Sequence, residues 1–392
     1  MFTSFNLVLH VIHIKCSPNP SLHPLRYSFR PRYSVLPRLP LPRDVLVRHS
    51  SYSPLGKTSS DSRKKVTIQT LQTMYKKGDP ITVLTAHDFP SGHVADAAGM
   101  DVVLVGDSLA MVALGMEDTN EVVMEDMLVH CRSVSRAVQH AFTIVDLPMG
   151  SYELSPEQAL QSAIRMVKEG GMKAVKLEGG EEMAPTIRRI TQAGIPVLAH
   201  IGLTPQRHHS IGGFRVQGKS VAGAVKVLRD ALAVQEAGAF MVLVEAVPGE
   251  VAALITERLR VPTIGIGAGV GCSGQVLVQV DMLGIFPPER FVPKFVKTYA
   301  DVWGESIRGI EEFKRDVKSR AFPSCEYTYP ISEQELLEFR SVVGAVVDQE
   351  SGQIHLISPH PNAKVPGDLI DMEKLLVSFS FRRVRDGFEQ RM

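Results

Sequence analysis

The sequence contains few cysteines, and none is placed for a shared site. Its 392 residues include four of them, which form no CxxC pair and no cluster with histidine at zinc spacing. This pattern argues against a disulfide framework and against a structural zinc site, and it fits a reducing compartment. The four are Cys16, Cys131, Cys272 and Cys325.

The sequence also lacks an excess of charge of either sign and any long hydrophobic run. Lysine plus arginine (43) nearly balances aspartate plus glutamate (42), so no global field would hold nucleic acid or an anionic membrane. No apolar run approaches the roughly 18 residues that a membrane span requires. With 44% apolar residues the chain is long enough to bury a sizeable core, and its balanced charge favours a small-molecule partner.

The first sixty residues differ from the rest in composition. They contain eight lysines and arginines, many serines and prolines, and one acidic residue, Asp44. An arginine-rich, serine-rich, acid-poor leader is typical of a mitochondrial transit segment. We therefore set residues 1–62 apart and expect import into the mitochondrial matrix. The alternative is a disordered basic tail.

From Val66 onward, eight apolar runs of strand length alternate with helix-periodic segments. Continuous apolar character is typical of parallel strands that are buried on both faces. Eight units over roughly 240 residues favour an α/β fold of the (β/α)8 (TIM barrel) type over an open doubly wound sheet. We assign this barrel to residues 63–329. The runs are ITVLTAHD, DVVLVGDS, FTIVDLP, MKAVKLEGG, IPVLAHIG, AFMVLVEAVP, VPTIGIGAG and FVPKF.

Helix-boundary signals separate the runs. The segment SPEQALQSAIRMVKEGG predicts a helix with Ser155 as N-cap, Pro156 in the first turn and Gln158 completing a capping box. A glycine stop ends this helix and recurs before three other apolar runs, which indicates repeated β-α units. The four stops are Ala98-Gly99, Gly170-Gly171, Ala193-Gly194 and Ala237-Gly238.

The alternation of strand and helix patterns stops near Tyr329. Residues 330–392 form a C-terminal extension to which the sequence assigns no role. The segment SEQELLEFRSVV predicts an amphipathic helix, and AVVDQESGQIHLI predicts a hairpin around Ser351-Gly352.

Polar side chains end nearly every predicted strand, and a barrel gathers the C-terminal ends of its strands around one pocket. Asp107, Asp146 and Glu178 end three neighbouring strands. Three close carboxylates would repel one another unless a cation neutralised them, and ligation by oxygen alone favours Mg²⁺. The alternative is that each acid caps a helix or binds a loop amide. The other strand-end residues are Asp88, Ser108, Lys176, His200 and Glu245.

Three of these residues suggest roles beside the metal. Lys176 lies two residues before Glu178, so both point to one side of their strand, where an ammonium would suit a substrate carboxylate. A structural Lys176–Glu178 ion pair is the alternative. Glu245 ends the most apolar strand, and burial there would raise its pKa towards that of a general base, unless a lysine pairs with it. His200 is either a hydrogen-bond donor to substrate or a core histidine.

The glycine-rich segment GIGAGVGCSG contains a formal GxGxxG match at Gly269, Gly271 and Gly274. The match comes late in the chain, and no acid ends a clear strand about 20 residues further on. We therefore discount dinucleotide binding, because the loop after the seventh strand of a barrel needs glycines for close backbone approach.

Read with their neighbours, the same residues resemble the ketopantoate hydroxymethyltransferase family, which acts in pantothenate synthesis. The resemblance runs in order from about residue 66 to residue 325 and covers the whole predicted barrel. The matching stretches are TAHDFPSG, VLVGDSLAM, VDLPMGSY, VKLEGG, HIGLTPQ, GGFRVQG, VEAVP, IGIGAG, GQVLV and PKFVK.

The resemblance implies a role for each candidate residue. It implies that Asp107 and Asp146 bind Mg²⁺ and that Glu178 completes the metal site. It implies that the keto acid contacts Asp107, Asp146 and two further residues, with a weaker assignment for His200, and that Glu245 is the proton acceptor. The two further residues are Ser108 and Lys176.

The implied reaction transfers a hydroxymethyl group from 5,10-methylenetetrahydrofolate to 3-methyl-2-oxobutanoate. The products are 2-dehydropantoate and tetrahydrofolate. The resemblance also implies a large homo-oligomer, as large as a decamer.

Two other functions stay open at this point. One is a Mg²⁺-dependent carbon–carbon lyase of the phosphoenolpyruvate mutase and isocitrate lyase type, whose catalytic cysteine in a Lys-Cys-Gly-His context is absent from this sequence. The other is a non-catalytic metabolite-binding barrel.

Overall fold

A computed structural model describes residues 63–344 of the chain. The predicted transit segment, residues 1–62, and the predicted hairpin around Ser351-Gly352 lie outside this range.

Eight parallel strands form a closed barrel in sequence order, and β8 pairs with β1 to complete it. The predicted (β/α)8 barrel is therefore confirmed. The strands are β1 Ile81–Thr85, β2 Val102–Val105, β3 Phe142–Asp146, β4 Ala174–Glu178, β5 Val197–Gly202, β6 Met241–Glu245, β7 Thr263–Ile266 and β8 Gly274–Leu277.

Helices connect the strands and surround the barrel. The described chain contains α1 Ile68–Lys77, α2 Phe89–Ala97, α3 Leu109–Val112, α4 Met124–Ala137, α5 Pro156–Lys168, α6 Ala184–Gln192, α7 His208–Ile211, α8 Val221–Glu236, α9 Gly249–Arg258, α10 Gln279–Met282, α11 Val302–Ser319 and α12 Glu333–Gly344. Among these residues, no helix is both long enough and apolar enough to cross a membrane.

The identity of the eighth strand differs from the prediction. FVPKF, residues 291–295, forms no strand, and the barrel is closed instead by GQVL at 274–277. The true strand is four residues long and exposes Gln275, so it lacks the continuous apolar run that marked its neighbours. Pro293 lacks the backbone N–H that a position between two strands requires.

The alternation of side chains divides the apolar core into two layers. One layer fills the barrel interior with residues such as Val102, Leu104, Ile144 and Leu243, while residues of opposite parity pack outwards against the helices. Helix α1 packs onto the interior layer through Leu71 and caps the N-terminal end of the barrel.

Local capping signals explain where the helices begin and end. The Ser155 hydroxyl accepts a hydrogen bond from the Gln158 N–H at 3.1 Å, as the sequence predicts for the start of α5. The predicted capping box is wrong in one respect, because the Gln158 side chain accepts from the Leu154 N–H rather than from that of Ser155. At the predicted stops, Gly99, Gly171, Gly194 and Gly238 all adopt positive φ, which glycine tolerates best.

The C-terminal part of the described chain is helical. Helix α12 confirms that SEQELLEFRSVV is helical. Helix α11, which precedes it, has no buried residue.

The close approach of β8 to β1 predicts a measurable requirement for glycine at position 274. A Cβ there would lie 2.2 Å from the Ile81 carbonyl oxygen, which belongs to the main chain and has no room to move. We expect Gly274→Ala to lower the free energy of unfolding by about 1–3 kcal/mol in urea titrations.

Gly309→Ala is the matched control, since a Cβ at that position of α11 meets no atom within 4 Å. It should leave stability unchanged or raise it by up to about 1 kcal/mol. Equal effects of the two substitutions would contradict the packing argument.

Candidate active site

The predicted site residues on β3, β4, β5 and β6 continue the inward-facing rows of those strands. Asp146 pairs in register with Lys176, and Glu178 pairs with His200. On β3, for example, Phe142 and Ile144 face the interior, so Asp146 faces it too. Along each of these strands the inward residues are apolar towards the N-terminal end and polar at the C-terminal end. The polar groups therefore lie next to the apolar core, at the C-terminal side of the barrel.

Lys176 is the buried cation at the centre of this group. Its Nζ lies 3.0 Å from Asp146 Oδ1 and 3.2 Å from His200 Nδ1. Lys176 therefore forms its ion pair with Asp146 on the neighbouring strand. The alternative considered from the sequence was a pair with Glu178 on the same strand. Burial opposes the charged ammonium, but the carboxylates of Asp146 and Asp107 outweigh it and raise the pKa of Lys176.

Asp107 and Ser108 follow β2 and sit beside Asp146. The Asp107 N–H donates to Asp146 Oδ2 at 3.0 Å, which holds the two acidic residues together. A Cβ added to Gly106 would lie 3.1 Å from Ser108 Oγ and 3.6 Å from Asp146 Oδ2, so glycine leaves room for both side chains. Burial raises the pKa of Asp146 to about 7, with Lys176 opposing the rise and Asp107 adding to it.

Glu178 is buried with one oxygen unsatisfied. Its Oε2 accepts the Gln206 N–H at 3.0 Å, whereas no donor among residues 63–344 hydrogen-bonds to Oε1. Burial raises the pKa of Glu178 well above its ordinary value despite the nearby Lys176. A buried carboxylate oxygen without a donor costs free energy unless a cation or a water molecule satisfies it.

Glu245 lies across the pocket beside His200. Its Oε2 is 3.1 Å from His200 Nε2, without hydrogen-bond alignment, and its side chain is 14% exposed. Burial raises the pKa of Glu245 to about 8. Burial also lowers the pKa of His200, with the charge of Lys176 adding to the effect. Because an ammonium only donates, His200 Nδ1 accepts from Lys176 and the neutral ring carries its proton on Nε2.

Two residues that we did not select from the sequence complete the pocket. Gln206 donates from Nε2 to Asp107 Oδ2 at 2.7 Å and to the Leu147 carbonyl at 3.0 Å. The Tyr152 hydroxyl donates to Gln206 Oε1 at 2.5 Å, and burial raises the pKa of Tyr152. Neither residue ends a strand, so a search of strand ends misses both.

The donor types of the pocket suit a hard divalent cation, although among residues 63–344 the three pocket carboxylates do not form a group whose ligand atoms all lie within 4.8 Å of one another. Asp107, Asp146 and Glu178 offer only oxygen ligands, and Gln206 links the first of them to the third. The unsatisfied Oε1 of Glu178 is one ligand atom without a competing donor. Mg²⁺ commonly retains water molecules, so not every carboxylate has to bind it directly.

Two other strand-end features are structural. Asp88 caps α2 by accepting the Ser91 N–H at 2.8 Å, which is the alternative role considered for such acids. In the GIGAGVGCSG segment, a Cβ on Gly269 would lie 2.7 Å from Gly249 Cα, and one on Gly271 would lie 2.6 Å from Ala253 Cβ. These two glycines allow the loop to pack against α9, which accounts for them without dinucleotide binding.

Comparison with known proteins identifies close relatives. A sequence model described as ketopantoate hydroxymethyltransferase matches residues 65–325. The 3-methyl-2-oxobutanoate hydroxymethyltransferase of Emericella nidulans is 65% identical over 333 residues, which are 85% of this chain and 94% of the relative. The enzyme of the same name from Oleidesulfovibrio alaskensis is 47% identical over 268 residues, which are 68% and 92% of the two chains.

Solved structures show a more distant similarity. A phosphonopyruvate hydrolase matches with a TM-score of 0.46 and 15% identity, over 70% of this chain and 95% of that one. A 2,3-dimethylmalate lyase matches with a TM-score of 0.43 and 15% identity, over 71% and 99%.

The raised pKa of Glu245 predicts a pH-dependent loss of stability. Between its ordinary value of 4.5 and about 8, the unfolded chain releases this proton while the folded chain keeps it. The carboxyl therefore lowers the free energy of unfolding as pH rises through this window, by up to about 1.4 kcal/mol per pH unit. We expect Glu245→Gln to remove this contribution, so that its stability relative to wild type increases from pH 5 to pH 8 in urea titrations.

Glu250→Gln removes an exposed carboxyl nearby in the sequence and is the control. Its stability relative to wild type should vary little with pH. If the free energy of unfolding of Glu245→Gln differed from that of the wild type by the same amount at every pH from 5 to 8, burial would not hold the proton on Glu245.

Proposed function

The chain belongs to the ketopantoate hydroxymethyltransferase family, and we propose that it transfers a hydroxymethyl group from 5,10-methylenetetrahydrofolate to 3-methyl-2-oxobutanoate. The products are 2-dehydropantoate and tetrahydrofolate, in pantothenate biosynthesis. One observation carries the chemical part of this proposal: a buried ammonium lies among carboxylates, with the raised-pKa carboxyl of Glu245 on the other side of His200. The names of the relatives support the acceptor substrate.

The keto acid would bind between the ends of β2, β3 and β4. Lys176 supplies the positive charge that pairs with a substrate carboxylate. Ser108, whose hydroxyl lies next to Gly106, supplies a hydroxyl at the end of β2. His200 Nδ1 lies 3.2 Å from the Lys176 ammonium, and the neutral His200 ring lies beside the Glu245 carboxyl.

Asp107, Asp146 and Glu178 would hold a Mg²⁺ ion beside the substrate. When bound, the ion supplies positive charge that stabilises electron density on the 2-oxo group and so makes the C3 proton more acidic. The cation would also satisfy Glu178 Oε1 and relieve the repulsion among the three buried acids.

Glu245 would act as the general base. It accepts the proton from C3, and the electron pair of the broken C–H bond becomes available to form the new bond to carbon. A base with a pKa near neutrality removes a proton efficiently while remaining partly ionised at working pH. In the transfer the C3 atom forms a bond to the methylene carbon of the folate, and both C–N bonds of that carbon break. Water supplies the hydroxyl group, and the two folate nitrogens take up the proton held by Glu245 and the second proton of that water as tetrahydrofolate leaves.

Proton exchange at C3 tests the role of Glu245 separately from folate chemistry. In heavy water with Mg²⁺ and the keto acid alone, the wild type should exchange the C3 proton, as followed by NMR. We expect Glu245→Gln to slow this exchange by a factor of at least 100, within the range typical of general base catalysis, while the keto acid still binds. Glu250→Gln should exchange at the wild-type rate.

Exchange at the wild-type rate in Glu245→Gln, or wild-type exchange that survives removal of divalent metal by a chelator, would contradict the assigned roles.

Dependence on folate distinguishes the transferase from the other two functions considered. We expect 2-dehydropantoate, measured by mass spectrometry, to form only when 5,10-methylenetetrahydrofolate is present, and a chelator to abolish its formation. Cleavage of a keto acid without folate would favour the lyase. Binding of the keto acid without turnover under any condition would favour a metabolite-binding barrel.

We also propose that the enzyme is a homo-oligomer, as the family resemblance implies. The support in this chain is α11, which exposes an apolar stripe with spacings of three and four residues. Such a stripe is typical of a helix that packs against another surface. Its residues are Trp303, Ile307, Ile310, Phe313 and Val317.

We propose that residues 1–62 direct the enzyme to the mitochondrial matrix. The support is their basic, serine-rich composition and the 65% identity of the chain, over 333 residues, to a eukaryotic relative.

A further inference from the structure

Outside the strand-end pocket, three potential metal ligands lie close together. Asp118 belongs to the segment between α3 and α4, and His208 and His209 begin α7. One ligand atom from each residue lies within 4.8 Å of the other two. Asp118 Oδ2 is 3.5 Å from His208 Nε2 and 3.9 Å from His209 Nε2. We propose that these three residues form a binding site for a transition-metal cation of the Zn²⁺ class.

The hydrogen bonding of His208 prepares it as a metal ligand. Its Nδ1 lies 2.8 Å from the Pro205 carbonyl oxygen, which only accepts, so Nδ1 carries the proton. Nε2 is then the ring nitrogen at which a metal ion would bind, and it lies 3.5 Å from Asp118 Oδ2. A backbone carbonyl on the remote ring nitrogen is the usual partner of a metal-bound histidine, because it fixes the tautomer and the orientation of the ring.

Asp118 and the His208 ring are also held in place by their neighbours. Asp118 Oδ1 accepts the Asn120 N–H at 2.7 Å, which leaves Oδ2 to face the histidines. The His208 ring stacks on Phe214, with centroids 5.1 Å apart and planes 6° from parallel. Two of the three ligands, Asp118 and His208, are therefore oriented before any ion binds, which lowers the entropic cost of binding.

The two histidine rings lie against each other, with centroids 3.9 Å apart. A single cation bound by both rings and by Asp118 Oδ2 would place its positive charge between the three side chains.

The ligand types and spacings select the metal. Two imidazole nitrogens and one carboxylate oxygen form a set that Zn²⁺ uses, whereas Mg²⁺ and Ca²⁺ prefer oxygen ligands. A tetrahedral ion with ligands at about 2.1 Å places them about 3.4 Å apart, close to the 3.5 Å and 3.9 Å observed. The His209 side chain is 79% exposed, so water reaches the fourth position.

The bound ion would join two segments at the C-terminal side of the barrel. Asp118 follows β2 and α3, whereas His208 and His209 follow β5 and lie next to the turn that carries Gln206. Gln206 reaches Asp107 and Glu178 in the pocket. The second metal would therefore hold the Gln206 turn in position without contacting the reacting atoms.

Metal binding to the full chain tests this site directly. The protein is stripped with a chelator, dialysed, and titrated with Co²⁺ and then with Zn²⁺ in excess Mg²⁺. We expect the wild type to show the intense visible absorption of four-coordinate Co²⁺, which Zn²⁺ displaces. His209→Gln and Asp118→Asn should lose this absorption, and calorimetry should show at least tenfold weaker binding of one Zn²⁺ equivalent per chain.

His93→Gln is the matched control, because it changes another exposed histidine in the same way. It should keep the wild-type spectrum and affinity. The proposal is overturned if His209→Gln binds Co²⁺ and Zn²⁺ as the wild type does. It is also overturned if wild-type Co²⁺ shows only the weak absorption of six-coordinate ions. Since His209 is largely exposed, its replacement leaves the barrel core intact.

Discussion

The burial of one ammonium among several carboxylates is the constraint on which the pocket depends. Lys176 and Asp146 are both almost fully buried, and neither charge would be stable there without the other. The remaining acids are not fully compensated, since burial raises the pKa values of Glu178 and Glu245. The pocket is thus built with more acid than its own cation can neutralise, which suits it to bind positive charge and to accept a proton.

The barrel makes this arrangement possible because its strands serve two purposes along one row. In the middle of the strands, inward residues such as Ile144 and Leu243 exclude water and pack the interior. At the C-terminal ends of the strands, the same rows end in Asp146 and Glu245. The apolar layer provides the low dielectric that makes each polar contact strong and each unpaired group costly. Connecting segments complete the site from outside, as Gln206 does by linking Asp107 and Glu178.

Much of this could be predicted from sequence because it depends on local pattern. Apolar runs, glycine stops and strand-end acids indicated the barrel and the residues that gather at its open end. The eighth strand was missed, because GQVL is short and is recognisable mainly by its pairing with β1 and β7. Gln206 and Tyr152 were missed because they lie in connecting segments, where no periodicity indicates the direction of a side chain.

The sequence by itself determined the order of the first seven strands, their inward rows and the polar residues that end them, because these follow from side-chain alternation and helix capping. Only the tertiary structure decided the partners. It paired Lys176 with Asp146 rather than Glu178, placed His200 between Lys176 and Glu245, and brought Asp118 to His208. Such pairings depend on strand register and loop path, which bring together residues far apart in the chain. Burial then makes each choice of partner energetically decisive.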